Sequence, residues 1–127
     1  MSAPKDFKPT RLELELLHAL WKLGPVSIRE IQESLPAAER PEYTTVQTII
    51  YRLEEKGAVR RTRKIGNAHI FEALVTRQSA FAAMIEDFIG TLGGSAEPLV
   101  AHLVETGKIS SGELKQMEKL IKERRLR

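Results

Sequence analysis

The chain contains no cysteine, which excludes disulfide frameworks and thiolate metal sites and fits a reducing, cytoplasmic setting. Histidine is scarce: His18, His69 and His102 stand far apart, on three different expected elements. No H-E-x-x-H, P-loop or nucleophile-elbow pattern occurs. With no metal, cofactor or catalytic constellation in view, the sequence does not read as an enzyme. No apolar run approaches the roughly 20 residues of a membrane span, and no secretory signal stands at the N-terminus, so no membrane partner is expected. Internal repeats and low-complexity runs are absent. Within these limits, 127 residues provide one domain, or a domain with an appendage, large enough for a real core.

What the chain does have is concentrated charge. The net charge is +3. Residues 1–43 carry six Lys/Arg against seven Asp/Glu, and residues 70–127 carry eight of each. Residues 44–69 carry Arg52, Lys56, Arg60, Arg61, Arg63 and Lys64 against Glu54 and Glu55. The whole excess therefore lies in one short stretch, which is the electrostatic footprint of a polyanionic partner.

That stretch begins with YTTVQTIIYRLEEKG at Tyr43–Gly57. At helical spacing, Val46, Ile49, Ile50 and Leu53 share one face. The opposite arc holds Thr44, Thr45, Gln47, Thr48, Tyr51, Arg52 and Glu55. A helix that reads base edges needs short hydrogen-bonding side chains, because its backbone lies close to the major groove. The alternative is an ordinary solvated polar face. Gly57 supplies a helix stop.

Two capping boxes precede this helix. Thr10-x-x-Glu13 opens a helix to Leu23 with a stripe of Leu12, Leu16, Leu17, Leu20 and Leu23, which Trp21 broadens. Ser27-x-x-Glu30 opens a short helix from Ile28 to Leu35, with Val26 and Ile31 as its hydrophobic staple and Ile28, Ile31 and Leu35 inward. Met1–Pro9 reads as a frayed polar tail. Three short helices with a polar outer face on the third suggest a helix-turn-helix domain.

Beyond Gly57 the pattern changes. Ala58–Arg63 and Ala68–Val75 alternate as strands around a turn at Lys64-Ile65-Gly66-Asn67. A basic hairpin directly after such a helix is the wing of a winged helix, and Arg60, Arg61, Arg63 and Lys64 would lie where phosphates run. The alternative is an edge hairpin guarded by charge. The remainder is helical again: Thr76 to Ile89, Ser95 to Val104 with Pro98 in its first turn, and a last helix opened by Ser110-x-x-Glu113. Phe81, Ile85 and Phe88, then Leu99 and Leu103, then Leu114, Met117, Leu120 and Ile121 form their apolar stripes. They complete the winged-helix core or bury against a second copy. Lys122, Arg124, Arg125 and Arg127 suit a helix C-terminus. The expected organisation is a tail at 1–9, a winged-helix DNA-binding domain at 10–75 and a helical dimerisation region at 76–127, mainly α with a small β wing.

RLELELLHALWKLGPVSIREIQESL, YTTVQTIIYRLEEKGAVRR and LVTRQSAF together resemble the penicillinase-repressor family (the BlaI/MecI/CopY type), over about residues 9–124. The resemblance implies a dimeric winged-helix repressor whose N-terminal domains bind a palindromic operator in double-stranded DNA and whose C-terminal helices interlock. It assigns Thr44, Thr45, Gln47, Thr48 and Arg52 to the recognition face and Arg60–Lys64 to the wing. Two departures stand out. The copper-responsive branch carries C-terminal cysteines, and this chain has none. In the penicillinase branch a sensor-linked protease cuts an Asn-Phe bond in the penultimate helix. The matching stretch here is LVAHLVE, so the corresponding bond is His102–Leu103, and control by β-lactams lacks its cleavage motif. The reading is a homodimeric transcription repressor; the alternative is a winged-helix module that binds another protein, since fold alone does not fix the partner.

Overall fold

The computed structural model describes residues 7–125. It divides into two compact units, Met1–Glu86 and Asp87–Arg127, each taken by itself below.

In the first unit, helix α1 (Arg11–Leu23) starts as its sequence dictates. The Glu13 backbone N–H donates to the Thr10 hydroxyl, and the Glu13 carboxylate accepts from the Thr10 backbone N–H. Leu16, Leu17 and Leu20 are buried, whereas Leu23, the last residue of the expected stripe, is exposed. Strand β1 (Val26–Ser27) and helix α2 (Ile28–Ser34) follow, with the second capping box formed between Ser27 and Glu30. A 3-10 turn (Ala37–Glu39) leads to helix α3 (Tyr43–Glu55). Its inward face is complete: Val46, Ile49, Ile50 and Leu53 are all buried. Strand β2 (Val59–Ile65) and strand β3 (Ala68–Ala73) form the wing. The three strands are antiparallel in the order β1-β3-β2. Buried residues of α1, α2, α3 and the sheet, Phe71 among them, make one core.

Four further details of the first unit differ from expectation. Phe7 and Pro9 are buried and Phe7 joins the core, so the packed chain begins before Thr10; a single ring in a polar segment shows no periodicity to reveal this. Residues 1–6 of the expected tail, and Arg127 of the basic end, lie outside the described residues. Strand β2 continues through Ile65, which shrinks the turn to Gly66-Asn67. Gly66 has φ 60 and Asn67 is not among the positive-φ residues, the type II′ pattern that suits a two-residue hairpin. Third, β1 was not expected, because two residues carry no period. Finally, the compact unit continues past the wing to Glu86. The first part of helix α4 (Arg77–Thr91) buries Ala80 and sets Phe81 against the rings of Trp21 and His18.

The second unit holds the rest of α4, helix α5 (Glu97–Glu105) and helix α6 (Ser111–Arg125). Helix α5 begins a residue later than Ser95 alone would set it: Ala96 is its N-cap, and the Ser95 hydroxyl accepts from the Glu97 N–H. The Ser110–Glu113 box opens α6 as expected. No residue of α5 or α6 is buried. Ile85 in the first unit, and Phe88, Val100, Val104, Met117, Leu120 and Ile121 in the second, are large exposed apolar side chains.

Candidate nucleic-acid interface

The candidate interface starts on the outer arc of α3. Thr44, Thr45, Thr48, Tyr51 and Arg52 are exposed and Gln47 is half-buried. The Thr48 hydroxyl donates to the Thr44 carbonyl at 2.9 Å, which ties it down one turn back. The Gln47 side-chain amide donates to the Tyr51 hydroxyl at 3.2 Å. The first turn of α3 carries no acidic residue, and its N-cap Glu42 makes no side-chain capping bond.

The wing places its cations on two faces, because residues paired across antiparallel strands share a face. Arg61 is opposite Phe71, and Arg60 is opposite Glu72. A register shift between Arg61 and Arg63 then puts Arg63 opposite Ile70 and Lys64 opposite His69, as an extra residue at Thr62 would produce. Arg61 and Lys64 consequently share the Phe71 face, and Arg60 and Arg63 share the other.

Half of the basic cluster is already paired within the chain. Lys56 Nζ lies 2.8 Å from Glu13 Oε2, Arg60 pairs with Glu72, and Arg61 pairs with Glu54. Arg61 also lies over the rings of Tyr51 and Phe71, at 5.1 and 5.4 Å from their centroids. Its hydrogen bonds to Glu54 raise its pKa further above the ordinary arginine value. Arg52, Arg63 and Lys64 have no such partner among the described residues. The local balance between cations and carboxylates is thus real, but the charge left available for a ligand sits on these three.

Between α3, the start of α2 and the wing runs a cleft of about 400 Å³. Arg29, Tyr43, Gln47, Tyr51, Asn67 and His69 are among its lining residues. Gln47 and Tyr51 were expected at an interface. Arg29, Asn67 and His69 were not: each is a single polar residue on a different element, and only the folded chain brings them together. The Arg29 guanidinium lies 5.3 Å from the Tyr43 ring centroid. The described residues contain no group of histidine, aspartate and glutamate able to hold a metal ion. His102 and Leu103, at the bond matched to the family's cleavage site, lie inside α5.

A helix-turn-helix core with a three-stranded antiparallel sheet, whose β2–β3 hairpin is the wing, defines a winged-helix protein. Residues 9–123 match the penicillinase repressor family, and the chain belongs to it, a family of transcriptional regulators. Among its relatives, the transcriptional regulator BlaI of Mycobacterium tuberculosis is 30% identical over 97 residues, spanning 74% of this chain and 70% of its own. The penicillinase repressor of Bacillus licheniformis is 22% identical over 116 residues, spanning 91% of this chain and 90% of its own. A mutant MarR from E. coli shares the fold with a TM-score of 0.50 and 15% identity, over 91% of this chain and 76% of that one.

Proposed function

We propose that this repressor acts as a homodimer on an inverted-repeat operator, occupying a promoter in the cytoplasm. One observation supports the reading above others. The short polar side chains of α3 and the unpaired cations Arg52, Arg63 and Lys64 lie on neighbouring elements of one small domain. Gln47, Thr48, Tyr51 and Arg52 would meet bases or nearby phosphates. Thr44 and Thr45, in a first turn of α3 that carries no acidic residue beyond the N-cap Glu42, suit a phosphate. Arg60 and Arg61 would support the wing through their ion pairs. The alternative, a module that docks another protein through α3, finds less support, because the outer arc of α3 offers no long apolar patch.

The dimer rests on the second unit. No residue of α5 or α6 is fully buried within the chain, yet they carry Leu99, Leu103 and Leu114, half-buried, and Met117, Leu120 and Ile121, exposed. Phe88 of α4 adds to this proposed dimerisation surface; Phe81 and Ile85, also proposed for dimerisation, belong to the first unit, where Phe81 packs on Trp21. A two-fold dimer carries two α3 helices, which matches an inverted-repeat operator. A sensor-linked protease is the further proposed partner: a cut at His102–Leu103 would sever α6 and its apolar stripe. Among the described residues no helix is long and apolar enough to cross a membrane.

The test is duplex binding against salt. If Arg52, Arg63 and Lys64 of both subunits each neutralise a phosphate, log K should fall against log salt with a slope of about −5. Binding that ignores salt would remove DNA as the ligand.

A further inference from the structure

The cleft between α3 and the wing has a composition that the reading above does not use. None of its lining residues is an aspartate or glutamate. Three carboxylates on the surrounding elements are committed elsewhere, Glu30 to the Ser27 cap, Glu54 to Arg61 and Glu72 to Arg60, and Glu42, next to Tyr43 in the chain, is not among the lining residues. The donors are not committed in the same way. Arg29 is exposed, rests on the Tyr43 ring, and has no carboxylate partner among the described residues. His69 is half-buried in the cleft wall, and its cross-strand neighbour Lys64 stands on the same face of the wing. Asn67 adds an amide at the hairpin tip, and Gln47 and Tyr51, joined by the hydrogen bond from the Gln47 amide, close the α3 side.

A concave surface that holds a guanidinium, an imidazole, two amides and two phenols, with no carboxylate, is complementary to an anion. The guanidinium fork suits a phosphate oxygen pair, and the ring beneath it fixes its plane. We propose that the cleft seats one backbone phosphate of the DNA strand that flanks α3, gripped by Arg29 from the α2 side and by Asn67 and His69 from the wing. This rests on the DNA-binding reading and adds a contact to it. The choice of a phosphodiester over a free anion follows from position. Gln47 and Tyr51 belong both to the cleft and to the proposed reading face, so a strand running from α3 to the wing passes over the cleft. Such a contact positions the protein on the duplex and carries no sequence information.

The experiment uses the full chain, random-sequence duplex DNA and fluorescence anisotropy over a salt series. Arg29→Ala should weaken binding about tenfold and reduce the magnitude of the salt slope by about 2 for a dimer, one phosphate per subunit. Arg29→Lys should keep the slope, since the charge remains, and lose part of the affinity with the fork; it also serves if Arg29→Ala does not fold. Wild-type affinity and slope in Arg29→Ala would overturn the cleft contact while leaving DNA binding intact. A wild-type protein without salt-dependent binding fails differently: it removes the functional reading and the cleft contact together. A third arm separates the two sources of anion. Inorganic phosphate should displace the DNA no better than chloride at equal ionic strength. Displacement specific to phosphate, and lost in Arg29→Ala, would make the cleft a seat for a free anion and overturn the backbone contact.

Discussion

Arg61 grips Glu54 through two hydrogen bonds, Nε to one carboxylate oxygen at 2.8 Å and Nη2 to the other at 3.2 Å. The pair joins β2 of the wing to the last turn of α3, and the guanidinium covers Tyr51 and Phe71 as it does so. A cation that looks in sequence like a phosphate ligand thereby links the wing to the helix. Its planar fork and its stacking make lysine a poor substitute.

Arg61→Ala is therefore predicted to weaken DNA binding on all sequences while leaving the salt slope at its wild-type value. The loss should be about 1 kcal/mol, because both partners are partly exposed and screened. Anisotropy over a salt series reads both quantities. A slope smaller in magnitude by about 2 would instead put Arg61 on a phosphate in each subunit.

On the recognition face, Gln47→Ala or Arg52→Ala should cost roughly 1–3 kcal/mol on the specific operator and much less on random duplex. Gln47 already donates to Tyr51, so Tyr51→Phe should relax base selection through Gln47 by removing the oxygen that orients its amide. Equal losses on specific and random DNA would assign either residue to phosphate positioning. Binding to a selected pool of sequences makes the comparison.

Leu120 is 64% exposed in the chain by itself. Leu120→Asp is predicted to abolish the dimer, because an unpaired carboxylate in an apolar interface costs several kcal/mol. The variant should keep the far-ultraviolet signal of the winged-helix unit, whose core residues lie elsewhere, and should lose specific binding. Sedimentation measures the mass directly. A wild-type monomer at micromolar concentration, or a variant that still pairs, would give the C-terminal helices another task. The operator for a two-fold dimer should be an inverted repeat with half-sites about one helical turn, or a multiple, apart.

Glu13 joins its capping box to the far end of α3 through Lys56. Burial pushes its carboxyl pKa up, but the hydrogen bonds from Lys56 and the Thr10 backbone and the Lys56 charge outweigh this and leave it below the ordinary 4.5. A lowered folded-state pKa means that the stabilisation is fully present above the unfolded value and fades as pH falls through the folded one. Stability should thus decline as the solution is acidified below about pH 4.5. Lys56→Met should cost about 1–2 kcal/mol at neutral pH, by leaving a buried carboxylate short of a donor. Urea melts of both proteins at neutral and acid pH test this, and a Lys56→Met protein with unchanged stability would contradict it.

Local signals in the sequence translated well into structure. Thr10 and Glu13, Ser27 and Glu30, and Ser110 and Glu113 sit three apart, a spacing that closes a bond with its own neighbours whatever the rest of the chain does. The buried face of α3 was legible for the same reason, through period alone. Relations between distant residues were not. Nothing in the spacing of Lys56 and Glu13, or of Arg60 and Glu72, announces an ion pair, so the sequence overstates the free charge of residues 44–69. The shift at Thr62 was equally hidden, because a bulge changes register without changing composition. Phe7 was invisible because one ring has no period, and Arg29 because a lone cation after a capping box looks like solvent-facing charge.

Trp21 is the chain's one tryptophan. Its indole N–H donates to the Val75 carbonyl at 3.0 Å, with Arg77 and Phe81 against the ring. The indole thus sits at the point where the wing ends and α4 begins. Its emission is consequently an intrinsic reporter of that junction, with no second indole to blur it. If the end of the wing and the start of α4 came away from α1, the ring would lose its acceptor and its aromatic neighbour and meet water. The emission would move to the red even while every helix kept its circular dichroism. Opening of the junction and melting of the fold are therefore separable in one unlabelled sample.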